Sequence, residues 1–263
     1  MKLGCCVNMF SDEADPIGRK YLPALKELNY NFVELPLAQV MDLSNQDFRG
    51  LVRQLHQLSL PCMCCNNFFP AFLRLTGEYA APMGVVDAYM EKALYRAAAM
   101  GADKVIFGSS GAKNIPAGFS YDKAYDQIVF TLRRAASIAG PLGLTIGVEP
   151  LNHMEGNIIR NLSESDRLMK DVDSPQIRLM LDYYHFSMEG EAAETLDSLI
   201  DQIIHVHLAS LHGRRFPHAE EAGILSFLKE RGYDGGVSIE AYSEKPRCDL
   251  AAARTVIMTV LAA

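Results

Sequence analysis

Residues 145–151 read TIGVEPL, an aliphatic run that closes on a bare carboxylate, Glu149. The run has the length and β-branched content of a buried strand, and what decides the fold is that it recurs. Working outward, seven comparable runs stand along the chain: KLGCCVNMF (2–10), FVELPL (32–37), PCMCCNNFF (61–69), KVIFGSSG (104–111), IRLMLDYYH (177–185), IIHVHLAS (203–210) and GGVSIEAY (235–242). Segments of helical periodicity separate them. GRKYLPALKELN follows the first run, SNQDFRGLVRQLHQLS opens on a Ser cap, and DAYMEKALYRAAAMG stops at a Gly. Further helices are expected in DKAYDQIVFTLRRAASIAGPLG, SESDRLMKDV, EAAETLDSLIDQ, EEAGILSFLKERG and CDLAAARTVIMTVLAA. Eight strand and helix pairs in strict alternation predict an α/β chain folded as one (β/α)8 TIM barrel over residues 1–263. A weak internal echo supports a repeated unit: KELNYNFVEL and KERGYDGGVSIEA each run from a helix end through an aromatic residue into a strand that ends in Glu. A doubly wound open sheet is the competing fold, but no Gly-x-Gly-x-x-Gly follows an early strand.

Composition narrows the partners. With 25 Lys and Arg against 32 Asp and Glu, the net charge is −7, and no basic run interrupts it. A nucleic-acid partner is disfavoured on that ground. The apolar stretch before Ser11, Asp12 and Glu13 is too short for a signal peptide, and no later run is long enough to span a bilayer, so a cytoplasmic protein without membrane contact is expected. The cysteines agree with that reading. In CMCC, strand alternation sends neighbouring side chains to opposite faces, which suits small buried hydrophobes better than a thiolate metal site.

In a TIM barrel the C-terminal ends of the strands carry the chemistry, so polar residues closing an apolar run are the candidates. These are Glu34, Asn66, Ser109, Glu149, Asp182, His185, His205, His207 and Glu240. Glu149, Asp182, His207 and Glu240 close four consecutive strands. Three carboxylates gathered without compensation would repel one another at a cost of several kcal/mol per buried ion. A divalent cation removes that penalty. Two Glu, one Asp and one imidazole form a mostly oxygen donor set suited to Mn²⁺, with Mg²⁺ or Co²⁺ as alternatives. His205, two residues before His207, shares its face and is expected in the core or supporting the site. His56, His153, His212 and His218 read as surface or loop residues.

The combination GVEPLNHMEG, LDYYHF, HVHLASLHGRRFP and SIEAY resembles the xylose-isomerase-like barrels of sugar phosphate isomerases and epimerases, and among them the ketose 3-epimerases of tagatose and psicose type. The matching motifs lie between residues 145 and 242. The resemblance implies Glu149, Asp182, His207 and Glu240 as metal ligands and Glu155, His185 and one of Arg214 and Arg215 as substrate contacts. It also implies a proton exchange in which Glu149 and Glu240 act on opposite faces of the carbon beside a carbonyl. The spacing from His207 to the arginine pair is one residue longer than the family pattern, and the loop after Pro217 is short. The two arginines therefore stay undecided, as does a phosphate-gripping role for both.

The activity expected is a metal-dependent sugar or sugar phosphate epimerase or isomerase, with a small sugar as partner and assembly as a homodimer or homotetramer. Hydroxypyruvate-isomerase-like chemistry, or keto-sugar or inosose dehydratase or lyase chemistry, is the alternative on the same site. A non-catalytic sugar-binding barrel and an endonuclease IV-like repair enzyme rank below these. The repair enzyme would need His ligands where CCNNFF and IFGSSG stand. NNFFPAFLRLTGEY is a candidate lid, subunit contact or self-packed loop, and FGSSGAKNIP offers small residues for close approach to a ligand.

Overall fold

A computed structural model of the chain describes residues 1–262. Among the described residues, eight parallel strands are joined in the order β1-β8-β7-β6-β5-β4-β3-β2. They are β1 (Lys2–Cys5), β2 (Val33–Pro36), β3 (Cys62–Asn66), β4 (Lys104–Phe107), β5 (Thr145–Val148), β6 (Ile177–Asp182), β7 (Ile203–Leu208) and β8 (Gly236–Ile239). Helices follow every strand, giving the (β/α)8 barrel expected from the alternation. The seam between β1 and β2 differs from the other seven junctions. There a single bridge, Cys6 to Glu34, replaces a ladder, reinforced by Asn31, whose amide donates to Leu3 O and whose side chain accepts from Leu3 N, both at 2.8 Å.

The helices pack on the barrel through faces spaced for that purpose. In the helix Asn45–Leu58, capped by the Ser44 side chain, Phe48, Leu51 and Leu55 are buried. Within the barrel, Cys64, Ile106 and Met180 form a small apolar cluster of their own. Above it the interior turns polar, with Glu34, His205, His207 and Ser238 all at 1% exposure or less. Close packing there depends on missing side chains: a Cβ on Gly4 would fall 2.2 Å from the Phe32 ring.

Three runs are shorter as strands than their apolar content suggests. KLGCCVNMF ends its ladder with β8 at Cys5, keeps only the Cys6 bridge to Glu34, and turns into a 3-10 helix at Val7–Phe10, because β8 ends at Ile239. PCMCCNNFF pairs only through Asn66. IRLMLDYYH ends its strand at Asp182, whose carboxylate accepts the His185 amide at 3.1 Å and starts the helix Tyr183–Met188. His185 thus lies on a first helical turn rather than at a strand end. EEAGILSFLKERG divides into two helices, Ala219–Ala222 and Ile224–Glu230, on either side of Gly223. No helix among the described residues is long and apolar enough to cross a membrane.

Candidate active site

The strand ends bring Glu149, Asp182, His207 and Glu240 together. One donor atom of each lies within 4.8 Å of the others, and all four residues are buried. Each is held by its own strand. Glu149 N donates to Phe107 O at 3.2 Å and Glu240 N to Leu208 O at 3.1 Å, so both carboxylates project just past the last rung of the sheet. Room for Glu149 is made by Gly108, where a Cβ would stand 1.6 Å from Oε2.

His207 is the centre of the arrangement. Its Nε2 lies 2.9 Å from Glu34 Oε1, and its Nδ1 lies 3.1 Å from Glu240 Oε2, 3.4 Å from Glu149 Oε1 and 3.9 Å from Asp182 Oδ2. Yet Nδ1 is buried and hydrogen-bonded to none of them. An imidazole nitrogen enclosed by three carboxylates calls for positive charge among them, as a proton or a metal ion, because lone pairs facing lone pairs repel. The charge count agrees. Four buried carboxylates, Glu34, Glu149, Asp182 and Glu240, are opposed by two buried cations, Arg214 and Lys113. The remainder equals the charge of one divalent ion. The donor set therefore fits a hard or borderline divalent cation held by Glu149, Asp182, His207 and Glu240.

Protonation follows the same balance. Burial pushes the carboxyls up, but at Glu240 the Arg214 guanidinium and His207 override it and hold the pKa below the ordinary range. At the more enclosed Asp182 burial prevails over Arg214 and the pKa is raised. Burial would lower His207, but Glu34 and Glu240 outweigh it and raise its pKa.

The structure separates the two arginines. Arg214 Nη2 lies 2.7 Å from Asp182 Oδ2 and also bonds Glu240, while Nη1 is 3.3 Å from His185 Nε2 and 3.5 Å from Glu155 Oε1. Its backbone sits at φ 51°, in the left-handed region, after Gly213, and its carbonyl accepts Tyr242 N at 2.8 Å. Arg215 points away: its side chain is 54% exposed, with Glu244 at 3.8 Å. His185 is buried and its pKa is lowered, mainly by burial. Its Nδ1 accepts from the Asn152 amide at 3.2 Å and lies 2.8 Å from Asn152 Nδ2, while its Nε2 faces the pocket beside the Arg214 guanidinium. Glu155, half-exposed, completes the group at the rim, 4.0 Å from that Nε2.

Glu149, Glu155, His185, Arg214 and Glu240 line a cavity of about 290 Å³ together with Asn8, Asn67, Ser109, Ser110 and Tyr242. FGSSGAKNIP thus contributes Gly108, Ser109 and Ser110 to the cavity wall. From NNFFPAFLRLTGEY only Asn67 is among the cavity's lining residues; Phe68 and Phe69 are buried with centroids 4.1 Å apart, Phe69 also against Tyr89 and Phe107, while Phe72 and Tyr79 are exposed. Three contributors take roles that the sequence does not assign to them. Glu34 was visible as a strand-end acid, but its partner His207 lies 173 positions away. Lys113 is fully buried with Nζ 2.9 Å from Glu149 O, although its neighbours are small and polar. Gly108 shows its purpose only once Glu149 is placed.

A parallel barrel with three acids and an imidazole at its C-terminal mouth defines a candidate divalent-cation site, and the comparisons make the family explicit. The chain belongs to the xylose isomerase-like TIM barrel family, whose sequence model matches residues 22–258. It is 27% identical over 256 residues to the D-psicose 3-epimerase of Agrobacterium fabrum, covering 92% of this chain and 85% of that enzyme. A second relative, the hydroxypyruvate isomerase of Escherichia coli, is 28% identical over 131 residues, 48% of this chain; the match spans about half of that enzyme, 51%. Among solved structures, the D-psicose 3-epimerase of Clostridium cellulolyticum with D-tagatose superposes with a TM-score of 0.84 at 18% identity, covering 99% of both chains. At that identity the likeness speaks for the fold.

Proposed function

We propose that the protein is a divalent-cation-dependent sugar epimerase or isomerase that acts on the carbon next to a ketose carbonyl. It is an enzyme of the isomerase class, in keeping with epimerase relatives matched along nearly the full chain. The observation that carries the metal-dependent reading is His207 Nδ1, buried, unpartnered and ringed by the oxygens of Glu149, Asp182 and Glu240. These four residues would hold the ion, Mn²⁺ in our reading. When bound, it supplies the positive charge that stabilises an enediolate oxygen.

The chain's own residues do the rest. Glu149 and Glu240 remove and return the proton from opposite faces of the sugar carbon. His185, Glu155 and Arg214 fix the sugar oxygens nearest the carbonyl, so the reacting carbon is held between the two acids. Arg215, turned to solvent, takes no part in this scheme.

Incubating the Mn²⁺-loaded protein with a panel of ketoses in D₂O tests the proposal. Deuterium at carbon three supports epimerisation. Label at carbon one, or turnover of hydroxypyruvate, would instead support the aldose–ketose type of chemistry that the hydroxypyruvate isomerase match favours. Tight sugar binding with no exchange at any carbon would refute catalysis of this kind.

A further inference from the structure

Beneath the candidate ligands lies a buried group that the proposed reaction does not use. Glu34, with no exposed surface, sits at the end of β2 and spreads its two oxygens over three partners. Oε1 is 2.9 Å from His207 Nε2; Oε2 is 2.8 Å from His205 Nε2 and 2.6 Å from Ser238 Oγ. Ser238 Oγ also lies 3.1 Å from His205 Nε2. An ionised carboxylate only accepts, and a hydroxyl has one proton to give. With Ser238 donating to Oε2, both imidazoles must carry a proton on Nε2 to face this acid. Cys6 Sγ, 3.8 Å from His207 Nε2, is a much weaker acceptor and does not compete.

We propose that Glu34 is a positioning residue that fixes His207 with its proton on Nε2 and its Nδ1 turned to the three carboxylates, so that the ring is oriented for a cation before one arrives. His205 and Ser238 hold Glu34 in turn: two donors on Oε2 prevent the carboxylate from rotating away from His207. This inference rests on the metal reading given above. It differs from it in concerning the ring's tautomer and orientation, which exist with or without an ion. Partners of this kind orient metal-bound histidines and typically change affinity 10- to 100-fold when removed.

The test is nitrogen-15 NMR of the histidine side chains, with calorimetric titration of Mn²⁺. In wild-type protein loaded with diamagnetic Zn²⁺, His207 should bind through Nδ1 and keep its proton on Nε2; coordination through Nε2 would overturn the proposal. Glu34→Leu should weaken Mn²⁺ binding by about 10- to 100-fold, whereas Ser238→Ala, which leaves Oε1 on His207, should stay within about threefold of wild type. Equal affinity in Glu34→Leu and wild type would also overturn it. Should the leucine variant not fold, Glu34→Gln answers the same question. One amide oxygen cannot accept from both imidazoles, so one of His205 and His207 must move its proton to Nδ1; two unchanged tautomers refute the bridging role. If wild-type protein binds no divalent ion, the proposed function fails, and the Nε2 proton read on the metal-free protein still decides this inference.

Discussion

The two halves of the barrel mouth do different work. Strands β5 to β8 end in Glu149, Asp182, His207 and Glu240, which carry the charge. Strands β1 to β4 and their loops bring Asn8, Asn67, Gly108, Ser109 and Lys113, which give space, amides and one buried cation, together with Glu34 from below. The difference teaches that the acids alone do not make a site. A cluster of carboxylates is tolerable only where a second set of groups fixes its geometry and offsets part of its charge.

The comparison is broken most severely by removing an acid. Glu149→Gln and Glu240→Gln should each lower the rate of carbon-bound deuterium exchange by roughly 10²- to 10⁴-fold, the usual worth of a positioned acid–base group. Full activity in either variant contradicts the two-base scheme. A neutral change on the other half comes next. Gly108→Ala would place a methyl group 1.6 Å from Glu149 Oε2, and the carboxylate must move. A misplacement of that order costs about 10²-fold in turnover, with Mn²⁺ affinity falling alongside; a wild-type kcat in this variant would show that the geometry of Glu149 is not critical.

How much of this could be read from the sequence follows from the same division. The barrel was legible because eight apolar runs alternate with helical periods, and the four acid and imidazole positions because each closes such a run. Arg214 and Arg215 could not be told apart: they are neighbours in sequence, and only the left-handed turn at Gly213 and Arg214 and the bond from Tyr242 N turn one inward. Glu34 could be seen as a strand-end acid but not as a partner of His207, because β2 and β7 meet across the barrel and no local spacing encodes that contact. Lys113, among Ser, Gly, Ala and Asn, reads as a solvated loop lysine. Its burial becomes visible only when its ammonium is found on the Glu149 carbonyl.

Two smaller effects sharpen the contrast. Burial brings the Lys113 ammonium down to about 8, with Glu149 acting against the shift. Its native pKa lies below its unfolded value of 10.5, so the unfolded chain binds more protons between these values and this residue makes stability rise with pH across that window. Lys113→Met should remove the rise. It should also lower stability near pH 7 by about 1–3 kcal/mol through the unpaired carbonyl it leaves. Denaturant unfolding at pH 7.5 and 10 checks both; parallel pH curves for variant and wild type would refute the assignment.

The last case is a half-buried acid on the charged half, Glu191, away from the four candidate ligands. Glu191 accepts Leu162 N at 2.8 Å, and burial, aided by Glu189 and Glu164, raises its pKa to about 7. Here the native state holds the proton longer than the unfolded chain, so stability falls as pH rises from 4.5 toward 7. Glu191→Gln should be the more stable form at pH 8 by a small margin that closes as pH approaches 4.5. A gap that does not depend on pH would show that the residue titrates normally.

The seam of the barrel has a consequence of its own. The first and second staves of the wall are paired through one bridge, and the residue making it from β2 is Glu34. Cracking of the cylinder at its weakest joint and slackening of the imidazole above it are therefore one event. A cation held at the mouth would, through that acid, also tighten the wall.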